Sequence, residues 1–592
     1  MAVDSRPDSA KGTPNPVKSP GTAPSINQNG DGEEKNYEDE EKLQDDLALA
    51  ATRSNTPSHL VGIKLFLAMS AVSMIMLLVT LDISIISTSA DPGTVQAIPQ
   101  ITSDFHRLED VGWYVGAFLL SSATMQPLTG KLYTHFSTKW TYLIFVIIFE
   151  TGSAVCGSAS SSRNLIGGRA LAGVGASGLI NGAMTVIMGA AKPEKRPLYT
   201  GAAMGVGQMG IVIGPLLGGV LTDHATWRWC FYINLPIGGV AIAFLSLLTI
   251  PDQVYKPKLD RAALRALIPR FDLIGFALFA PASIMTLLAL QFGSGSDYTW
   301  SDSQVIGLFC GAGATAIVFV FWERHMGPDA MIPGHLLNNR IVVCSAFFFG
   351  FLMTTNSVAS NFMPMYLQSS KGLSPTMSGV YLLATILSQT IFVLLSGGLV
   401  TKFGYYIPWC VAAAAVSTVS AGLISTWTPS TSLGPIIGYQ VLLGVRGAGM
   451  QMAIIAVQHC LPRKDVAIGN SIIVLAQNFF GAILVTVANV IFQETLKSEI
   501  RHNVRGVDPA AAIAAGGSAA NVRALTSDPT ARQALLSAYA TGVSNIFYLL
   551  TAMCAVSLVA CFGMGWVDLR VPNTPQDKAA SHKKEETLDD KV

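Results

Sequence analysis

The sequence predicts an all-α integral membrane fold, with two six-helix bundles joined by a pair of extra helices and about fourteen crossings in all. Three observations carry this expectation. Half of the 592 residues are hydrophobic and only 13% are charged, far too little charged surface for a soluble chain of this length. Apolar windows of about 20 residues, the length that crosses a bilayer, recur along the chain. Short patterns in the first half return in the second at a nearly constant offset.

The windows fall at 63–88, 111–130, 140–158, 164–189, 199–221, 229–250, 272–292, 303–322, 341–366, 375–398, 405–427, 433–458, 468–493 and 544–567. An even number of crossings puts both ends on one side. Fifteen lysines and arginines fall in the short loops on the side of the termini, and four (Arg107, Arg163, Arg228 and Lys371) on the other. Basic residues favour the cytoplasmic side, so both tails are expected there. The plasma membrane is the expected location, with the vacuolar membrane as the alternative.

The repeat is carried by two pairs of segments. Gly130, Leu132, Thr134 and Phe136 in the second loop return as Gly397, Leu399, Thr401 and Phe403, an offset of 267 residues. The glycine-rich stretch from Gly173 to Gly178 returns from Gly444 to Gly449, an offset of 271. Internal repetition of this kind marks a fold built from two related bundles. The expected organisation is therefore a disordered, mixed-charge tail over 1–60, a first bundle over 61–250 and a linker with two extra crossings over 251–340. A second bundle over 341–567 follows, with a long outer loop at 494–543, then a polar tail over 568–592.

Composition also excludes several functions. The net charge of +1 gives no pull toward nucleic acid. The eight cysteines are scattered through apolar stretches without a C-x-x-C pair, so they read as small buried residues, and no metal site is expected. No phosphate loop, H-E-x-x-H or G-x-S-x-G motif occurs, so the chain is expected to be neither an ATPase nor another enzyme. No cofactor is expected, and no charged-then-apolar start with a cleavage site precedes the first crossing. A monomer is expected, embedded in lipid.

The strongest motif lies in the fifth window, where Gly201, Gly210, Gly214, Pro215, Gly218 and Gly219 form G-x8-G-x3-G-P-x2-G-G. Glycines four apart line one helix face and let another backbone come close. A proline removes a donor and bends the helix. Such a surface suits a helix against which another must rock.

This pattern resembles the antiporter signature of the major facilitator superfamily, in its fourteen-helix drug:proton antiporter family of fungal toxin-efflux and multidrug pumps. Further stretches resemble the same family. They are Leu165, Arg169 and Gly173 in the fourth window, the junction from Trp227 through Asn234 to Pro236, and Leu81 to Ile86 in the first window. The resemblance covers about 60–567. It departs from the family in the second loop, where Thr134, His135 and Ser137 replace the usual Asp, Arg and Gly, so that loop's charge network is weakened here. The resemblance implies proton-coupled efflux of small organic molecules by alternating access. A carrier of siderophores or basic amino acids in the same superfamily is the alternative.

Charges inside a bilayer are costly and mark function by default. Asp82, Glu150, Arg169 and Arg446 lie well inside windows. Asp82 and Glu150 can take up a proton where burial disfavours their charge. Arg169 cannot release one, but an arginine that pairs with a carboxylate in one conformation only would tie proton affinity to conformation. The proton-coupling candidates are therefore Asp82, Arg169 and Glu150. Polar residues on the helices could line a substrate cavity: Asn181, Gln208, Asn234, Asn356, Asn361, Gln389, Gln440, Arg446, Gln451, Gln477 and Asn478. Phe347, Phe348, Phe349, Met353, Met363, Phe479 and Phe480 would give an adaptable apolar wall. One oddity remains: Ser89–Gln96 carries Asp91-Pro92-Gly93 and reads as a dispensable insertion after the first crossing.

Overall fold

A computed structural model describes residues 59–87, 101, 104–106, 110–252, 256, 268–293, 299–504, 506–514 and 519–570. The expected insertion at Ser89–Gln96, and both polar tails apart from 59–60 and 568–570, lie outside the described residues.

The described chain is almost entirely helical, without a strand. A long helix stands at each of the fourteen expected positions. These are α1 (Ile63–Ser87), α2 (Val111–His135), α3 (Thr138–Gly157), α4 (Ser162–Ala190), α5 (Arg196–His224), α6 (Trp229–Ser246) and α7 (Leu273–Gly293). They continue as α8 (Ser303–Met326), α9 (Arg340–Ser369), α10 (Pro375–Phe403), α11 (Ile407–Ile424), α12 (Leu433–Cys460), α13 (Val466–Asn503) and α14 (Pro529–Cys561). Among the described residues, twelve are long and apolar enough to cross a membrane. The fold class holds, and the count of fourteen crossings is not confirmed among the described residues. In α2, which is outside the twelve, Gln126, Lys131 and a run of hydroxyls, most of them buried, interrupt the apolar sequence. In α5, also outside, the side chains at 215, 216 and 219 lie beyond the described residues.

Helix ends follow from local chemistry. Ser161, Asn339, Ser374 and Asp528 each accept a backbone N–H at the start of α4, α9, α10 and α14. Gly404 ends α10 in the left-handed region at φ 82°, a conformation glycine adopts without a Cβ clash. Two helices break. Ile233 interrupts α6, and a 3-10 stretch at Val445–Gly449 interrupts α12 within the repeated glycine segment.

In the first half α1 packs on α5 and α6, and α4 on α2 and α3; in the second, α9 packs on α13 and α14, α10 on α12, and α11 on α14. Contact between the halves runs through α5 against α10 and α2 against α13. Glycine makes both possible. A Cβ on Gly130 would lie 2.5 Å from Ser471 Oγ, and one on Gly397 would lie 2.7 Å from the Pro197 carbonyl. The extra pair, α7 and α8, packs on itself and, through α7, on α2.

The stretch 494–543, whose fold the sequence leaves open, is largely helical among the described residues. α13 runs to Asn503, α14 starts at Pro529, and short helices cover Pro509–Ala514 and Ala519–Ala524. Leu496, Ile500, Ala512, Val522, Leu535 and Tyr539 give this extension an apolar core, and the Tyr539 hydroxyl donates to Ala512 O. Its Ala/Gly richness conceals the helical period, because small residues suffice where helices lie close.

Candidate functional site

Five elements converge on a buried polar cluster in the first half. Asp82 on α1 is wholly buried and forms an ion pair with Arg169 on α4, Oδ2 to an Nη at 2.5 Å. Arg169 is held twice more. Its Nε donates to Tyr114 O on α2 at 2.8 Å, and its guanidinium lies 4.5 Å from the Phe118 ring centroid. Asn234, the first residue of α6 after its break, donates through Nδ2 to Asp82 Oδ1 at 3.3 Å and to Ser153 Oγ on α3 at 3.1 Å.

Glu150 lies one turn before Ser153 on α3 and packs against Gly238, one turn after Asn234 on α6. A Cβ on Gly238 would lie 1.8 Å from Glu150 Oε1, so only glycine leaves room. Neither carboxyl oxygen of Glu150 has a hydrogen-bond partner among the described residues. A carboxyl buried without cation or donor is costly in its charged form. The two carboxyls therefore have contrasting surroundings, one paired and one alone, joined through the Ser153–Asn234 rung.

The second half buries its own arginine differently. Arg446, in the 3-10 break of α12, donates from Nε to Gln389 Oε1 on α10 at 2.8 Å and from an Nη to Asn356 Oδ1 on α9. No carboxylate pairs with it among the described residues, and its other Nη has no partner. A cavity between α9 and α10 is bounded by Arg446, Ser360 and Thr385 with Met363, Leu382 and Ile386.

The remaining candidates scatter. Gln440 accepts from Thr385, and Gln451 donates to Val393 O and Ser396 at the α10–α12 seam. Asn181 donates to Thr129, which ties α4 to α2. Gln208, Gln477 and Asn478 are half-buried and Asn361 is exposed. The expected aromatic wall divides: Phe348, Phe349 and Met353 sit in the core, whereas Phe347 meets Phe480 of α13 at a tilt, and Phe351, outside the expected set, stacks on the same ring.

The glycine motif faces inward to its own half. Cβ atoms on Gly210 and Gly214 would lie 2.4 Å from Thr80 Oγ1 and 2.0 Å from Ser84 Oγ of α1. Those hydroxyls donate back to Gly207 O and Gly210 O of α5. Gly218 meets Ile85. Gly201 instead faces the other half, where its Cβ would meet Gln451 Oε1 at 2.6 Å. The surroundings of Pro215 and Gly219 lie outside the described residues.

One cluster carried no sequence signal beyond polar residues at helix ends. Asp272, just before α7, accepts from Trp322 Nε1 of α8 and from the Gly275 and Met331 amides. Burial, the largest single influence, pushes its carboxyl up, but those donors together with a hydrogen bond to Glu323 hold it below the usual range. Lys131 of α2 donates to Arg270 O and Asp329 O, fastening the extra pair at its flanks.

Buried charges at the meeting of several long apolar helices define a membrane carrier. The chain belongs to the Major Facilitator Superfamily, whose pattern it matches over residues 65–486. It is 47% identical to the MFS-type transporter calB of Penicillium decumbens over 93% of this chain and 97% of that one. It is 44% identical to the efflux pump mlcE of Penicillium citrinum over 90% and 95%, and 37% identical to the efflux pump aflT of Aspergillus parasiticus over 86% and 97%. Its fold matches the proton:xylose symporter XylE with a TM-score of 0.53 at 12% identity, covering 86% of this chain and 98% of that one. The chain is accordingly an integral membrane transporter of small molecules.

Proposed function

We propose that the protein exports small organic molecules in exchange for protons by alternating access. The buried Asp82–Arg169 pair, joined through Asn234 to the α3–α6 seam, is the observation that supports this most. A proton delivered to Asp82 removes the charge that holds Arg169 and loosens α1 from α4. The pair re-forms only after Asp82 has released that proton on the other side, so proton occupancy and conformation move together. Glu150, unpaired across the Ser153–Asn234 rung, is the second proton site. α5 and α10, which meet at Gly201 and Gly397, form the seam along which the halves move. The bundles over 61–250 and 341–567, with 251–340 as linker, are the moving units of a monomer in the plasma membrane, with both tails cytoplasmic.

The gradient supplies enough energy. One charge crossing 100 mV contributes about 2.3 kcal/mol, and a tenfold proton gradient about 1.4 more. Together they sustain a substrate gradient of roughly 500-fold. A carrier of basic amino acids fits less well, because the described cavity is bounded by a buried arginine with no counter-charge.

The cargo is found by comparing metabolites in medium and cells with and without the gene. It is then loaded into vesicles carrying wild-type protein or Asp82→Asn. The variant is expected to reach the membrane and to exchange cargo across it, while losing efflux driven by a pH gradient. Wild-type gradient-driven efflux in the variant would remove Asp82 from the coupling role.

A further inference from the structure

A buried guanidinium normally comes with a carboxylate, as Arg169 does, because an uncompensated charge in a dry interior is costly. Arg446 breaks that rule. It is 1% exposed, its only polar partners are the neutral acceptors of Gln389 and Asn356, and one Nη group has none among the described residues. The titratable group acting on it is the Cys554 thiol, which is itself bonded to Thr355. The two amides fix the plane of the guanidinium and supply no charge. The same side chain bounds the cavity between α9 and α10, whose other walls are Met363, Leu382 and Ile386 with the Ser360 and Thr385 hydroxyls. Thr385 is already committed to Gln440, which leaves Ser360 and the guanidinium as its free polar groups.

We propose that Arg446 is the residue that recognises cargo charge, and that the cavity, about 20 Å³ as the helices stand, widens between α9 and α10 to take an amphipathic organic anion: a carboxylate on an apolar body. The carboxylate supplies the missing counter-charge and accepts from the unpartnered Nη, a geometry for which guanidinium is suited. The apolar body lies against Met363, Leu382 and Ile386, and the unbranched methionine adapts to its shape. This inference deepens the exporter reading and rests on it.

The full-length protein, purified in detergent, is titrated with 2-naphthoate and decanoate and with the methyl ester of each, following the unfolding midpoint. The carboxylates are expected to bind about ten- to a hundredfold more tightly than their esters, the discrimination a charged hydrogen bond provides. Arg446→Gln is expected to bring carboxylate binding down to the ester level, and Arg446→Lys to retain part of the difference. Ser360→Asp keeps the arginine and places a fixed carboxylate in the cavity; it too is expected to lose the preference, and it decides the matter if Arg446→Gln does not fold. No carboxylate preference in the wild type, or a preference that survives both Arg446→Gln and Ser360→Asp, overturns the assignment. The same pairs are then followed across proteoliposomes. Arg446-dependent binding without movement would sink the exporter reading and leave the site standing, whereas movement without charge preference would do the reverse.

Discussion

The two halves treat a buried arginine in opposite ways. In the first, Arg169 is neutralised by Asp82, braced by the Tyr114 carbonyl and the Phe118 ring, and set beside the α1–α5 seam, which hydroxyl–carbonyl bonds close. In the second, Arg446 is held, among the described residues, by amides alone and borders a cavity. The repeat sharpens the contrast. Gln440 follows Arg169 by 271 residues, the offset of the glycine segments, and holds only the hydroxyl of Thr385. An ion pair that can be broken by a proton suits coupling, and an unpaired charge suits recognition. One ancestral plan thus carries two different electrostatic tasks.

The largest expected effect tests that contrast directly. Arg169→Met strands the Asp82 carboxylate in the core and is expected to cost about 3–5 kcal/mol, the loss typical of a broken buried pair. Arg446→Met strands only amides and is expected to cost far less. Thermal unfolding of both purified variants measures this, and equal losses would erase the distinction between the halves.

A smaller effect probes the locked seam of the first half. Gly214→Val pushes a branched side chain onto Ser84, where even a Cβ would lie 2.0 Å from Oγ, and is expected to cost about 1–3 kcal/mol. Gly207, on the same helix, has ordinary contact distances of 3.6 Å to Met76. Gly207→Ala is therefore expected to be neutral or slightly stabilising. If membrane level and melting temperature respond alike to the two, close approach of α1 is not what the stripe provides.

Ser84→Ala gives the smallest change. It removes the bond to Gly210 O at 2.8 Å and is expected to cost about 1 kcal/mol. Gradient-driven efflux should persist. A complete loss of transport at normal protein level would mean that the seam moves during the cycle and is not a lock.

Much of this was legible in the chain, and the reasons for the rest are physical. Asp82 and Arg169 stand out because charge is rare in apolar windows, but nothing in their spacing says that Asp82, and not Glu150, takes the arginine. That depends on which faces α1, α3 and α4 present to one another. The glycine motif announced a close approach without naming its partner, and the partner proved to be α1 of the same half, with only Gly201 turned across. Phe348, Phe349 and Met353 looked like cavity wall because aromatic residues at helical spacing read the same in a core. The outer stretch 494–543 was visible as a long loop, but its helices were not, because its middle, over 509–524, is rich in alanine and glycine and shows no apolar period.

By itself the sequence determined the solvent: half of its residues are apolar in runs of bilayer length, and that composition admits helices and little else, since every backbone group must be satisfied within its own segment. It also determined which residues bear a cost that only function repays, because a charge in hydrocarbon is expensive wherever the helix turns. Only the tertiary structure decided how each cost is met. Pairing energies depend on distances of a few ångströms between helices far apart in the chain, and among the described residues those distances gave Arg169 a carboxylate, left Glu150 without a partner, and left Arg446, at the wall of a cavity, with one buried donor unpartnered.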